Sequence, residues 1–309
     1  MQYVGVENYP ETVLDFEDRF ATEAACRQYL AEIRWPAGFR CPRCEYPEAW
    51  TTERGLWHCV ACGFQTSVTA GTLFQDTRKP LRLWFRAMWY VVNQKQGVST
   101  LGLQRVLGLS RYETTWIWLH KLRRAMVRPG RDRLSGTVQV DETYVGGPRP
   151  GKRGRGAGGK SLVVVAVEDK GRHVGRIRLF RVADASGESL TLAMREMVRP
   201  GSLVNTDGWL GYTGVRSDGY THGVIRRRAE VGTNLLPLAH RVAALLKRWL
   251  DGTHQGAVRP PHLDYYLDEF TFRFNRRTSR SRGKLFCRLM QQAVQVGPVT
   301  GDDVRGGKR

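Results

Sequence analysis

Two Cys-x-x-Cys pairs, Cys41-Pro-Arg-Cys44 and Cys59-Val-Ala-Cys62, stand fourteen residues apart. Each short turn aims two thiolates at one centre, and two such turns complete a tetrahedral site, for which zinc is the natural occupant. A redox dithiol is the rival reading of the same residues. A segment this small has too little core to hold itself, so the metal supplies its folding energy. Phe39-Arg-Cys-Pro before the first pair, the short strand Gly55-Leu-Trp-His-Cys59 and Gly63 after the last cysteine are the marks of a four-cysteine zinc ribbon, expected over 36–74. His58 is read as a solvent-facing strand residue, and Cys26 and Cys287 as small buried apolar side chains.

The rest of the 309 residues must fold without that staple, and 41% hydrophobic residues provide the core for about two domains. The longest apolar run, Leu162 to Val167, is strand-sized, so no membrane span is expected. The N-terminus lacks the basic and apolar pattern of an export signal, which makes a cytoplasmic protein the expectation, associated with the nucleoid when bound to DNA. Residues 1–35 carry seven acids against three bases, yet the whole chain stands at +20, so the remainder carries +24. A field of that sign favours a polyanion, of which nucleic acid is the usual one.

Apolar periodicity predicts a helical lead over 10–34 (Phe16, Phe20, Tyr29, Leu30, Ile33), packed on the ribbon, within a segment bounded at 1–35. Lys79-Pro80 opens a further helix whose stripe is Leu81, Trp84, Phe85, Met88, Trp89 and Val92. Residues 97–126, within a helical segment 75–130, resemble a helix-turn-helix: Ser99 and Ser110 are candidate caps and Gly108 sits in the turn. Arg111, Tyr112 and Thr114 then start a recognition-like helix, although an ordinary helical hairpin has the same pattern. From Gly136 the pattern changes to three strands (137–145, 161–168, 174–182), a helix (186–198), a strand (202–206) and a strong helix (235–250). That order places antiparallel hairpins before a parallel crossover in one mixed α/β sheet. A basic glycine-rich stretch, 148–160, reads as a mobile loop.

Asp141 lies inside an apolar strand, where a lone carboxylate is costly without a partner such as a metal ion. Asp207 ends the strand 202–207. His240 and Lys247, seven residues apart, share nearly one face of the strong helix. Glu142, adjacent to Asp141, points to the other face of its strand and is not a candidate ligand, while Glu230 is the runner-up for a third acid. Separately, each candidate has a structural alternative: a salt bridge for Asp141, a helix cap for Asp207, a satisfied core histidine for His240.

Asp-Glu-Thr-Tyr-Val-Gly-Gly (141–147), Thr-Asp-Gly-Trp-Leu-Gly-Tyr (206–212), Leu-Leu-Lys-Arg-Trp-Leu-Asp-Gly-Thr-His (245–254) and Tyr-Leu-Asp-Glu-Phe-Thr-Phe-Arg-Phe-Asn-Arg-Arg (266–277) resemble the signatures of the ISXO2-like insertion-sequence transposases, in the family's order and over nearly the whole chain. The resemblance implies an α+β multidomain protein: the ribbon, the helix-turn-helix-like segment, a ribonuclease H-like catalytic domain of the DDE type over 136–296, and a flexible tail over 297–309. It also implies two Mg²⁺ or Mn²⁺ ions held by Asp141 and Asp207, with His240 at the family's third position and Lys247 on a DNA phosphate. Histidine there departs from strict DDE, since imidazole is a less natural Mg²⁺ ligand than carboxylate. The implied activity is hydrolysis at insertion-sequence ends followed by transfer of the 3′-hydroxyl into target DNA, by a homo-oligomer on DNA. A decayed transposase, a ribbon-type DNA-binding protein and a nuclease that cuts without joining are the alternatives. Arg226–Arg228 and the cluster with Arg273, Arg276 and Arg277 are candidate phosphate contacts.

Overall fold

The computed structural model describes residues 9–127, 130–146, 160–171, 173–225 and 235–307. The basic loop 148–160, apart from Lys160, and Arg226–Arg228 and Glu230 lie outside them. The chain divides into two compact units, residues 1–129 with 279–308, and residues 130–278.

In the first unit, Thr12 caps α1 (Val13–Arg19) and Thr22 caps α2 (Glu23–Arg34), so the helical lead is two helices. Each threonine hydroxyl accepts the N–H three residues on, which starts a helix afresh. Their aromatic residues do not chiefly serve the ribbon, as the sequence suggests, but pack against α3 (Leu81–Asn93) and α9 (Arg282–Ala293). Phe16 stacks on Trp89 at 4.7 Å, Phe20 meets Phe85 edge-on at 4.8 Å, and Phe286 of α9 lies against both Phe16 and Tyr29. Such pairs each contribute about 0.5–1.5 kcal/mol beyond area burial. Gly283 admits this packing, because a Cβ there would lie 1.7 Å from the Pro10 carbonyl oxygen.

The ribbon's sheet is β1 (Ala49–Thr51), β2 (Trp57–Cys59) and β3 (Gln65–Thr66), all antiparallel. Trp35, Phe39 and Trp57 cluster beside the cysteines, with Phe39 and Trp57 stacked at 5.3 Å. Arg34 on α2 donates to the carbonyls of Ser67 and Val68, both at 2.8 Å, and so ties the ribbon's exit to the helices. Beyond α3 come α4 (Thr100–Leu107), capped by Ser99 and closed by left-handed Gly108, and α5 (Tyr112–Ala125). Arg111, not Ser110, occupies the N-cap of α5, and its side chain makes no capping bond.

In the second unit a five-stranded sheet has the order β6-β5-β4-β7-β8, formed by β4 (Thr137–Val145), β5 (Ser161–Lys170), β6 (His173–Val182), β7 (Leu203–Thr206) and β8 (Thr221–Val224). The first three pair antiparallel, while β4–β7 and β7–β8 are parallel. This is the mixed sheet expected from the strand and helix order, and the ribonuclease H-like type that the family resemblance implies. The run Leu162–Val167 is apolar without alternation because both sheet faces are covered. Leu162, Val164 and Ala166 face a core with α6 (Gly187–Met197), and Val163, Val165 and Val167 face one with α7 (Pro237–Thr253) and α8 (Leu263–Asn275).

The expected limits 136–296 and 297–309 meet a different arrangement. The chain returns to the first unit at 279, since α9 carries Phe286 into the aromatic core. The tail is structured too: Thr300 and Asp303 form a capping box, and α10 (Gly301–Arg305) buries Val304 and packs on α5. No helix among the described residues is long and apolar enough to cross a membrane. Val304→Asp puts a charge into that buried position. It is expected to release residues 297–307 to limited proteolysis while 9–127 stays resistant, and unchanged cleavage would show that α10 is held by other contacts.

Candidate active site and metal centre

Strand parity and register assemble the site. In β4, Val138 and Val140 face α6, so Asp141 and Gln139 face α7, because successive residues alternate sides. Parallel β7 pairs Gln139 with Asn205. β7 ends at Thr206, and Asp207, just past that end, lies near enough to Asp141 in the middle of β4 for its charge to act on that carboxyl. At Asp207 the chain turns sharply: Gly208 has φ +87°, Asp207 Oδ1 accepts from Trp209 N at 2.9 Å, and Thr206 Oγ1 accepts from Gly208 N at 3.2 Å. The Thr206 hydroxyl also meets His222 Nε2 on β8 at 2.8 Å.

From the other side comes α7. The Nε2 of His240 lies 3.0 Å from Asp141 Oδ2, with the imidazole half exposed and the carboxylate one-fifth exposed. Lys247 is exposed two turns along the same helix. Glu142 points away, as parity requires, and accepts from the hydroxyl of buried Tyr212 at 2.8 Å.

What seats α7 over Asp141 is Gln139, to which no motif pointed. Its Oε1 accepts from Leu238 N at 3.0 Å, one of the helix's unpaired first-turn N–H groups, and its Nε2 donates to Asp169 Oδ2 at 3.2 Å. A polar residue between Val138 and Val140, on a strand buried on both faces, was the signal available.

Burial first, and then the charge of neighbouring Glu142, push the Asp141 carboxyl above the ordinary range, with Asp207 adding to the rise and His240 opposing it. Burial and Glu142 likewise push the Tyr212 phenol well up, so it stays a hydrogen-bond donor. Half-buried Asp141 thus stands among like charges, with one imidazole facing it. A carboxylate and an imidazole thus face each other on α7's side of the sheet, but among the described residues only the four cysteines of the ribbon converge as a group of three or more ligands that could hold a metal ion.

In the ribbon, the four cysteine sulfurs lie within 4.8 Å of one another, with Cys41–Cys62 and Cys44–Cys59 each at 3.6 Å. Zinc–sulfur bonds of about 2.3 Å space tetrahedral sulfurs about 3.8 Å apart, so the cluster fits a structural zinc. Loss of hydration opposes ionisation of Cys41, but N–H groups of Arg43 and Cys44 outweigh it and hold the thiol down at about 6. His58 is outside the cluster, stacked on Trp50 at 4.8 Å and bonded to Gln65. Cys26 and Cys287 are buried and apart.

A model of the ISXO2-like transposase domain matches residues 133–275, and a transposase zinc-ribbon model matches residues 21–65. The chain belongs to the ISXO2-like transposase family. A similar protein, described as an uncharacterized protein in transposable element ISH50 of Halobacterium salinarum, is 29% identical over 300 residues, covering 86% of this chain and 94% of that protein. The family's matched domain contains the whole sheet with Asp141, Asp207 and His240.

The expected DNA contacts fare unequally. Arg111 and Tyr112 are exposed and Thr114 is half-buried at the start of α5. Arg273 is largely withdrawn from solvent in an ion pair with buried Glu269 at 2.7 Å. Arg276 lies over the Phe272 ring at 4.1 Å. Arg277 lies over Phe274 and donates to the carbonyls of Phe274, Gly175 and Val174, fastening α8 to β6. These three guanidiniums have intramolecular work.

Gln139→Ala leaves the partly buried Leu238 N–H without its acceptor and is expected to cost about 1 kcal/mol in denaturant unfolding; a loss below about 0.5 kcal/mol would mean that water replaces the glutamine. For Asp141, a folded-state carboxyl raised above its unfolded value contributes stability below the ordinary carboxylate range and loses it as pH rises through the raised value. In chelator at neutral pH, Asp141→Asn is therefore expected to melt at or above the wild-type temperature. A clear fall in Tm would show that pairing with His240 outweighs burial.

Proposed function

We propose that this chain is a DDE-type DNA transposase that binds insertion-sequence ends, hydrolyses a strand there and transfers the freed 3′-hydroxyl into target DNA. The observation that carries this reading is Asp141: an acid kept where burial and the charges of Glu142 and Asp207 work against its ionisation, with His240 facing it. A purely structural position would favour an uncharged side chain.

Asp141 and Asp207 would hold divalent cations, Mg²⁺ or Mn²⁺, with His240 beside Asp141. When bound, such ions neutralise charge on the attacking and departing oxygens of a phosphodiester. The chain's own groups then have separate tasks. The Asx turn at Asp207 fixes one carboxylate oxygen and leaves the other without a partner among the described residues. The imidazole of His240 orients the Asp141 carboxylate, and Lys247 meets a phosphate oxygen as a point charge. At the start of α5, Arg111, Tyr112 and Thr114 contact the end sequence.

Water forms a new P–O bond while the P–O3′ bond breaks, leaving a 3′-hydroxyl. That hydroxyl then forms a P–O bond to the target as the target's own 3′-oxygen departs. Phosphodiesters are exchanged one for one in the second step, so no outside energy source is required. Two ends must be handled together, which calls for more than one copy on DNA.

A supercoiled plasmid with the element's ends, incubated with protein and Mg²⁺ or Mn²⁺, distinguishes joining, cutting alone and binding alone. Asp141→Asn and Asp207→Asn are expected to lower cleavage by at least about 10²-fold with end binding retained. His240→Glu is expected to keep more activity than His240→Ala, because carboxylate is the better hard-cation ligand. Near-normal cleavage by either aspartate variant would remove that residue from the site, and binding without any cleavage by the wild type would favour a decayed transposase.

A further inference from the structure

We propose that a cleft in the N-terminal unit, between the first hairpin turn of the ribbon and the start of α3, binds the phosphodiester backbone of DNA. This rests on the DNA-acting reading above but uses none of the residues invoked there. The cleft has a volume of about 580 Å³ and draws its walls from α2, the β1–β2 turn, the ribbon's exit strand and the lead into α3. Five cationic side chains line it, Arg27, Arg54, Arg78, Lys79 and Arg82, against one acid, Glu23.

That acid is already committed. Glu23 Oε1 accepts from Leu81 N at 2.9 Å and Oε2 from Arg82 N at 3.2 Å, so its charge answers the N-terminal end of α3. Among the described residues, Arg27 is the one cation in ion-pair distance of it, at 3.9 Å. The Arg27 guanidinium reaches across to the ribbon turn, with Nη1 2.6 Å from where a Cβ on Gly55 would stand. The side chains of Arg54, Arg78 and Lys79 are exposed and have no hydrogen-bond or ion-pair partner among the described residues. The Arg82 Nε is buried and likewise lacks a hydrogen-bond partner. A buried charged donor without an acceptor costs free energy unless a ligand supplies one.

Concentrating like charges in a concave wall raises the local positive potential, and the complementary ligand is an anion. The cations come from three separate chain segments around a space much larger than one phosphate group. Successive phosphates of a strand suit such a distribution better than a single small anion, which is bound by convergent donors. The cleft also sits against the tip of the zinc-ordered hairpin, so metal binding and groove shape are coupled through Arg54 and Gly55.

The test is binding of a fluorescent random-sequence duplex over a range of salt concentrations, with zinc content and Tm checked for every variant. Each lost phosphate contact lowers the slope of log K against log salt by about 0.9, so Arg54→Ala/Arg78→Ala is expected to lower it by about 2 and to weaken binding at low salt. Lys95→Ala/Lys170→Ala removes two exposed cations elsewhere and is expected to leave the slope near the wild-type value. If the alanine pair lowers Tm, Arg54→Gln/Arg78→Gln keeps the side-chain stems and reads the same slope. An unchanged slope in the cleft variants, or an equal fall in the control, overturns the cleft while leaving the DNA-acting reading intact. Failure of the wild-type protein to bind the duplex overturns both.

Discussion

Everything in the second unit depends on burying both faces of one sheet. With α6 on one side and α7 and α8 on the other, each residue of β4 is assigned to a face by parity alone, and a shift of one position would send every side chain to the wrong core. That constraint turns a sequence spacing into chemistry. Asp141 and Asp207 are 66 residues apart in the chain, by subtraction of their numbers, yet the charge of one reaches the other because β4 and β7 are parallel neighbours.

The two carboxylates are exposed to opposite demands. The valines around Asp141 make the strand stable because they exclude water, and excluded water is what makes its carboxylate costly. Gln139 reconciles the two by holding the first turn of α7 with a neutral amide, so the helix bearing His240 closes over the strand without another charge in the core. On the opposite face, Tyr212 does the same for Glu142 with a phenol that stays protonated.

Local spacing was the most legible part of the sequence. Four cysteines in two turns define their own centre, and Leu162–Val167 announces a strand covered on both sides. The juxtaposition of Asp141, Asp207 and His240 came from the resemblance to a family, since periodicity assigns a residue to a face without saying which strands are neighbours. Contacts that the chain makes at long range were not legible. Gln139 and Leu238 are 99 residues apart, and nothing near either marks the other. The arginines at 273, 276 and 277 read as a basic cluster, but carbonyls, rings and Glu269 had already claimed them. Phe286 looked like part of the catalytic half because helical periodicity carries no address.

The return of residues 279–308 to the first unit has a consequence for how the protein is made. Phe286 touches Phe16, Phe20, Tyr29, Phe85 and Trp89, so the aromatic centre formed by the earliest helices is incomplete until α9 has been synthesised. Residues 130–278 are contiguous and lie wholly between the two contributing segments. On the ribosome residues 130–278 emerge in full before the segment 279–308 that completes the first unit, so the unit whose segments come out first is the last to close.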